Sequence, residues 1–303
     1  MILTLAICIP LAVALAVTGV VAALQRRRLR QLTSASGVHQ VLADAHASWV
    51  VDHALKALVE ACLREPRLVP GVVMVVLRET TIAVHVSSPT AHPPAPWRTS
   101  ADGCVWTTDI VAVQAAPLSF GTTHPYSGLV TLGVTNDGRV FVNLDEAHGL
   151  VSIGGESEAR RVVAERWITE AASRPWSTGE AQLVGLDADA RPLSAPASAL
   201  DQLVTTVASG AAGLTFVDSL PGDATTDRLV HALETHGCLW PVVVVGAVSE
   251  ARWRFTAHSN GWMTSDFLPS ARWDADAIMP EPGTPDAVLS LAPSAPTGAK
   301  ALV

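Results

Sequence analysis

"LVSIGGESEARRVV", Leu150 to Val163, is the stretch on which the fold reading turns. Leu150 to Ile153 has strand chemistry and runs into Gly154-Gly155. From Glu156 to Ala172 the spacing turns helical, with Ala159, Val163, Trp167 and Ala171 four apart and Val162 beside them. Strand, glycine turn and helix in that order open a parallel α/β sheet, and many nucleotide-binding proteins hold phosphate at this place. The chain downstream keeps alternating. Ala181–Leu186 and Leu214–Val217 read as strands, and Ala197–Ala208 and Thr225–Thr235 as helices. "WPVVVVGAV", Trp240–Val248, reads as a strand buried on both faces. A hairpin is expected around Ser259–Gly261, with Trp253 and Trp262 flanking the turn and placed to pair across it.

The glycine turn lacks the chemistry of a working phosphate loop. Such a loop reads GxxxxGK[ST]: glycines let backbone amides wrap the phosphates, the lysine reaches the outer phosphates, and the hydroxyl binds magnesium. Here the frame starts at Gly154 or Gly155, but "ESEARRVV" supplies no second glycine and no lysine followed by Ser or Thr. Arg160 or Arg161 offers charge without the loop. Glu156 and Glu158 fall in the first helical turn, where they complement the helix dipole themselves and repel a triphosphate. Asp218 follows the strand ending at Val217, and Glu250 stands two residues past Val248; neither shows paired acids for magnesium. Gly154, Gly155, Arg160, Arg161 and Asp218 are therefore the only nucleotide candidates, and the expectation is a capped strand–turn–helix scaffold with a degenerate phosphate loop. HExxH, GxSxG and CxxC are absent, so no catalytic or metal residue is assigned and no cofactor is expected. An atypical nucleotide hydrolase using Arg160 or Arg161 is the enzymatic alternative.

The half upstream has a different texture. Gly71–Ser88 holds two β-rich runs around Arg78, Glu79 and Thr80. Asp102-Gly103 marks one hairpin turn, after the proline-rich loop "PTAHPPAPW". Asn136, Asp137 and Gly138 mark another, between Leu129–Val134 and Val140–Leu144. Before them, Ser36–Arg64 reads as a long amphipathic helix, capped by Ser36 and ended by Pro66. His39, His46 and His53 recur every seven residues along it. Ligands so spaced lie about 10 Å apart along the axis, too far to share one ion, so they read as exposed surface histidines.

The 303 residues are 49% hydrophobic and 16% charged, with mean hydropathy +0.32 and net charge −8. Much of the apolar excess lies in Ile2–Leu24, which carries no charge and is followed by Arg26, Arg27, Arg28 and Arg30. About 23 helical residues span roughly 34 Å, enough to cross the hydrocarbon of a bilayer. A cleaved leader places its basic residues before the apolar run. Here they come after, so residues 2–24 are expected to stay as an anchor in the lipid bilayer. The positive-inside tendency then puts the N-terminus outside and the remainder in the cytoplasm. The arginines read as topology and headgroup contacts. An exported protein with a cleaved first segment is the competing reading. An acidic soluble part argues against a broad nucleic-acid surface. Cys8, Cys62, Cys104 and Cys238 have no tight spacing, which points to a reducing compartment and no disulfide framework.

The expected fold class is α/β, α+β over the whole chain. The division is 1–25 anchor, 26–66 basic segment and amphipathic helix, 67–149 β-rich domain, 150–279 α/β domain and 280–303 a Pro/Ala-rich tail. "LVTLGVTNDGRVFVNLDEAHGLVSIGGESEARRVVAERWITEAASRPWS" resembles a segment of large actinobacterial membrane proteins that carry LysM and bacterial transcriptional activator (BTAD) domains. That segment is similar to the strand–P-loop–helix start of FtsK/EssC-type motor ATPases with the P-loop lost. "WPVVVVGAVSEARWRFTAHSNGWMTSDFL" fits the later strand and hairpin of the same family. The resemblance spans roughly Arg67 to Asp274 and implies a P-loop-like half without its ATPase residues. No LysM segment and no BTAD helical repeats accompany it here, so no transcriptional role is implied. Together these readings suggest a non-catalytic, membrane-anchored scaffold or regulatory module. Its protein partner is unknown, oligomerisation is open, and the setting is a secretion or translocation assembly.

Overall fold

Val72–Leu77 (β1) and Thr81–Val86 (β2) pair antiparallel across the Arg78–Thr80 turn. Their β-branched residues suit a pleated surface buried on both sides. Arg98–Thr99 (β3) and Val105–Asp109 (β4) turn at Asp102-Gly103, where the Cys104 N–H donates to Asp102 Oδ1 at 3.0 Å. Leu129–Thr135 (β5) and Gly138–Asn143 (β6) form the third expected hairpin, and a 3₁₀ turn at Leu144–Ala147 follows it. These ranges come from a computed structural model that describes residues 45–177, 181–194, 197–210, 213–235 and 240–273. The expected anchor at 2–24, Arg26, Arg27, Arg28, Arg30, His39 and the tail from 280 lie outside the described residues. Among those described, no helix is long and apolar enough to cross a membrane.

The amphipathic helix is described over Ala45–Arg64 (α1). It lays Val51, Leu55, Leu58 and Cys62 on the hairpins, against Val75, Ile82, Val84, Trp106 and Phe141. The expectation of exposed histidines fails at His53. This ring is half-buried, stacks on Trp49 with centroids 4.9 Å apart, and bonds the Val113 carbonyl at 3.1 Å. Val113 belongs to a five-residue helix, Ile110–Gln114 (α2), which is too short for periodicity to reveal.

The second half begins with Leu150–Gly155 (β7) and Ser157–Ser173 (α3). Then come Gln182–Val184 (β8), Ala197–Ala208 (α4), Thr215–Val217 (β9), Ala224–Thr235 (α5) and Val242–Val244 (β10). Trp253–Ala257 (β11), Trp262–Ser265 (β12) and Ala271–Arg272 (β13) are the last elements among the described residues. β10 starts only at Val242, because Pro241 before it has no N–H for a ladder. β8, β9, β10, β7 and β11 lie side by side in that order, every neighbour parallel. The chain leaves β7 through α3, reaches the far edge at β8, steps back to β9 and β10, then crosses β7 to β11. Trp167 and Val163 of α3 pack with Val151, Ile153 and Phe255. Leu203 of α4 and Leu229 and Leu233 of α5 pack with Leu150, Val217, Val242 and Val244 on the other face. A sheet covered by helices on both faces is what the alternation of strands and helices implied.

Among the described residues the two halves share one thirteen-stranded sheet, ordered β3-β4-β2-β1-β6-β5-β13-β12-β11-β7-β10-β9-β8. It runs unbroken across the boundary expected at 149/150. The join is made by β13, whose Arg272 stands opposite Val134 of β5. Trp253 and Trp262 do not pair, because the register sets Phe255 against Ser265 and Ala257 against Met263. Trp253 instead packs on Phe267, and Trp262 lies under the Arg272 guanidinium.

A buried polar network pins α3 to β5. Glu170 is 0% exposed and takes the Thr131 N–H at 2.6 Å, Arg166 Nε at 3.3 Å and an Arg174 guanidinium nitrogen at 3.2 Å. Arg166 also donates to the Thr131 carbonyl at 3.1 Å and the Trp273 carbonyl at 2.8 Å. Trp167 Nε1 donates to the same Thr131 carbonyl at 2.9 Å. The β5–β6 register shifts between Thr131 and Gly133, so the helix satisfies groups that the irregular ladder does not.

Candidate functional site

β7 stays paired with β11 to its last residue, with Gly154 opposite Thr256 and Gly155 opposite Ala257. The Glu156 N–H then donates to the Ala257 carbonyl at 3.2 Å, and α3 starts at Ser157. One residue separates strand from helix, where a phosphate loop needs a run of free backbone. Gly155 sits at φ +101°, and a Cβ there would overlap the Ala257 carbonyl. Its glycine is required by the close approach of β11. A Cβ at Gly154 would meet only ordinary contacts, 3.6 Å from the Phe255 carbonyl and 3.9 Å from Ala247 Cβ.

Of the charged groups around this corner, Glu156 is taken up by Ser259 and Arg161 by carboxylates of its own helix. Glu156 Oε1 accepts from the Ser259 N–H at 3.1 Å and the Ser259 hydroxyl at 2.8 Å, and these bonds hold its carboxyl below the usual range. Arg161 bridges Glu158 at 2.6 Å and Glu165 at 3.0 Å and donates to the Asp189 carbonyl at 3.1 Å. The bond to Glu158 raises the guanidinium's hold on its proton and lowers the Glu158 carboxyl. Arg160 gives its backbone N–H to the Glu156 carbonyl at 2.9 Å, and its side chain has no partner among the described residues.

Asp218 follows β9 directly. Its N–H donates to the Val184 carbonyl at 3.1 Å, and its carboxylate accepts the Ser219 hydroxyl at 3.3 Å. Gly246 and Ala247, past the end of β10, bridge the corner to this residue. Ala247 lies beside Gly154, and the Asp218 carbonyl is 3.8 Å from the position of a Cβ on Gly246. Gly154, Gly155 and Asp218 thus share one rim at the C-terminal ends of the parallel strands, where open α/β sheets bind ligands. Arg161 is turned to its own helix and to Asp189.

Beside that rim is a cleft of ≈ 400 Å³ lined by Leu193, Leu200, Asp201, Asp218, Asp223 and Thr225, among others. Sequence reading missed it. Two of its three carboxylates have structural duties. Asp223 Oδ1 caps α5, accepting the Thr225 N–H at 2.9 Å and the Thr226 N–H at 3.3 Å, and Asp201 pairs with Arg228. The "DATT" at Asp223–Thr226 is a capping signal that could have foretold the first. Among the described residues, no group of three or more His, Cys, Asp or Glu is placed to hold a metal ion. A second missed pair is in the core: His124 Nε2 faces Asp52 Oδ1 at 3.4 Å, with Lys56 on the other carboxylate oxygen at 2.7 Å. Burial pushes the Asp52 carboxyl up, but the bonds from His124 and Lys56 outweigh it and leave it below the usual range. The Tyr126 N–H donates to His124 Nδ1 at 3.3 Å, which sets the ring proton on Nε2, toward Asp52.

No family model matches the chain, and no curated protein matches it. Among solved structures, one aligned to it is the pCW3 conjugation coupling protein TcpA, a monomer form with ATPγS. The identity is 12% and the TM-score 0.31, over 68% of this chain and 83% of that chain. The α/β character of this half is given by its own run of parallel neighbours, β8, β9, β10, β7 and β11.

Proposed function

We propose that this protein is a non-catalytic α/β module, held at a membrane by residues 2–24, that serves as a scaffold or regulatory partner in a membrane-associated assembly. The observation that carries the reading is the β7–α3 junction. Glu156 alone lies between strand and helix, it is bonded to Ser259, and the neighbouring Arg161 is saturated by Glu158, Glu165 and Asp189. Backbone amides cannot wrap a triphosphate from a single connecting residue, and a carboxylate at that residue repels one. The apolar Ile2–Leu24 run and the arginines behind it support the anchor, with the described fold on the cytoplasmic side. The secretion or translocation setting rests on the sequence resemblance alone.

Calorimetric titration of the detergent-solubilised full chain with magnesium-ATP tests the non-catalytic part. The expected trace shows no saturable heat; a micromolar dissociation constant would sink the reading. Co-purification of the intact chain from detergent, with identification of what accompanies it, tests the scaffold part. Recovery of the chain alone would count against it.

A further inference from the structure

Six large apolar side chains are exposed among the described residues: Trp49, Leu63, Leu68, Val111, Phe120 and Leu193. All but Leu193 lie on α1 or on chain that borders it. The solvent side of α1 is one stripe at helical spacing, formed by Trp49, His53, Lys56, Glu60 and Leu63. The segment from α2 to Thr122 runs alongside. His53 bonds the Val113 carbonyl, and Glu60 Oε1 accepts from the Ser119 N–H at 3.1 Å and from the Thr122 hydroxyl. Val111, 75% exposed, and Phe120, with its whole ring in solvent, therefore stand beside Trp49 and Leu63 on one outer face. Lys56 pairs with Asp52 at 2.7 Å and Arg98 with Asp109 at 2.9 Å, while the Glu60 carboxylate is held by the two neutral donors of Ser119 and Thr122.

We propose that this outer face of α1, with Val111 and Phe120 beside it, rests on the lipid bilayer surface with its apolar side chains at headgroup depth. The inference rests on residues 2–24 being the membrane anchor. Twenty residues separate Leu24 from Ala45, so the tether arrives at the end of α1 that carries Trp49. A surface held on so short a leash meets the bilayer at high effective concentration, so weak contacts suffice. Trp and Phe are the side chains that settle at a membrane interface. Lys56 and Arg98 carry their counter-charges with them and Glu60 keeps its two donors, so none of these groups loses its partner at headgroup depth.

The test places photoreactive benzoylphenylalanine, singly, at Val111, Phe120, Leu11 and Ser209 of the full chain. The chain is reconstituted in phosphatidylcholine–phosphatidylglycerol vesicles, illuminated, and its adducts are weighed. Ser209 is exposed just past α4, which packs over β8 and β9 at the opposite end of the sheet from the strands under α1. The expected result is lipid adducts at 11, 111 and 120 and none at 209. Lipid adducts at 11 with none at 111 or 120 overturn the proposal and leave the anchor standing. Protein adducts at 111 or 120 assign the face to a partner or a second copy and overturn it as well. Equal lipid labelling at 209 removes its specificity and refutes it. No lipid adduct at 11 refutes the anchor, and the proposal falls with it.

Discussion

Replacing Glu170 with alanine should destabilise the fold more than any surface change. Glu170 is fully buried and serves three donors: the Thr131 N–H, Arg166 and Arg174, whose side chains are each 5% exposed. Burial already lowers the Arg166 guanidinium's hold on its proton, a sign that the cation depends on its counter-charge. Removing one partner of a buried ion pair costs about 3–5 kcal/mol. Here two guanidiniums are orphaned together with one backbone N–H, so the upper end, about 4–5 kcal/mol, is expected. Glu170→Gln keeps an oxygen for Thr131 and loses the charge. Hydrogen bonds to charged groups are worth about 1.5–3 kcal/mol, which sets its expected loss. The control is Arg161→Ala on the exposed face of the same helix, where ion pairs are worth about 0–1 kcal/mol. Urea unfolding of the detergent-solubilised chain, followed by near-ultraviolet circular dichroism, reads all three. With a urea slope of about 3 kcal/mol/M, Glu170→Ala should lower the midpoint by roughly 1.5 M. A loss no greater than that of Arg161→Ala would refute the claim that this network pins α3 to β5.

Gly155→Ala should cost about 1–3 kcal/mol through a strained φ and overlap with the Ala257 carbonyl, whereas Gly154→Ala should cost less; thermal unfolding of the two variants ranks them. Burial drops the His85 imidazole to about 4, below its unfolded value, so its stabilising contribution is present above about pH 6.5 and is lost as pH falls toward 4. Burial lifts the Asp145 carboxyl to about 6, so its contribution has the opposite sign: it is full below about pH 4 and lost as pH rises through 6. The two effects oppose each other between pH 4 and 6. Asp145→Asn, which keeps an oxygen for the Gly128 N–H, should therefore steepen the loss of stability on acidification, and His85→Gln should reverse its sign; denaturant midpoints at pH 4.5, 5.5 and 7 measure both.

The parts of the fold legible in the sequence were those carried by local pattern. Asp102-Gly103 and Asn136-Asp137-Gly138 announced their hairpins because those turns need residues that tolerate unusual backbone angles. Ala197–Ala208 was readable to the residue because its apolar spacing is strong and it lies between Pro196 and Ser209-Gly210. The contacts across the chain were not legible. Nothing local tells that Arg272 stands opposite Val134, so the hairpin half and the parallel half looked separable while their strands form one sheet. The candidate corner was half legible. The missing lysine and hydroxyl of the phosphate motif could be seen directly, but the reason for Gly155 could not. That reason is the carbonyl of Ala257, a hundred residues away along the chain. The cleft beside Asp218 was hidden for the same reason, since its walls come from the ends of two strands and two helices.

The position of β13 has a consequence for synthesis. The hairpins leave the ribosome first, with the free side of β5 open, and the piece that covers it is nearly the last of the described chain to be made. Until then that side offers bare amides and carbonyls to any passing extended segment. Nascent chains that stall before residue 271 should therefore cling to one another or to chaperones, and the finished protein should not.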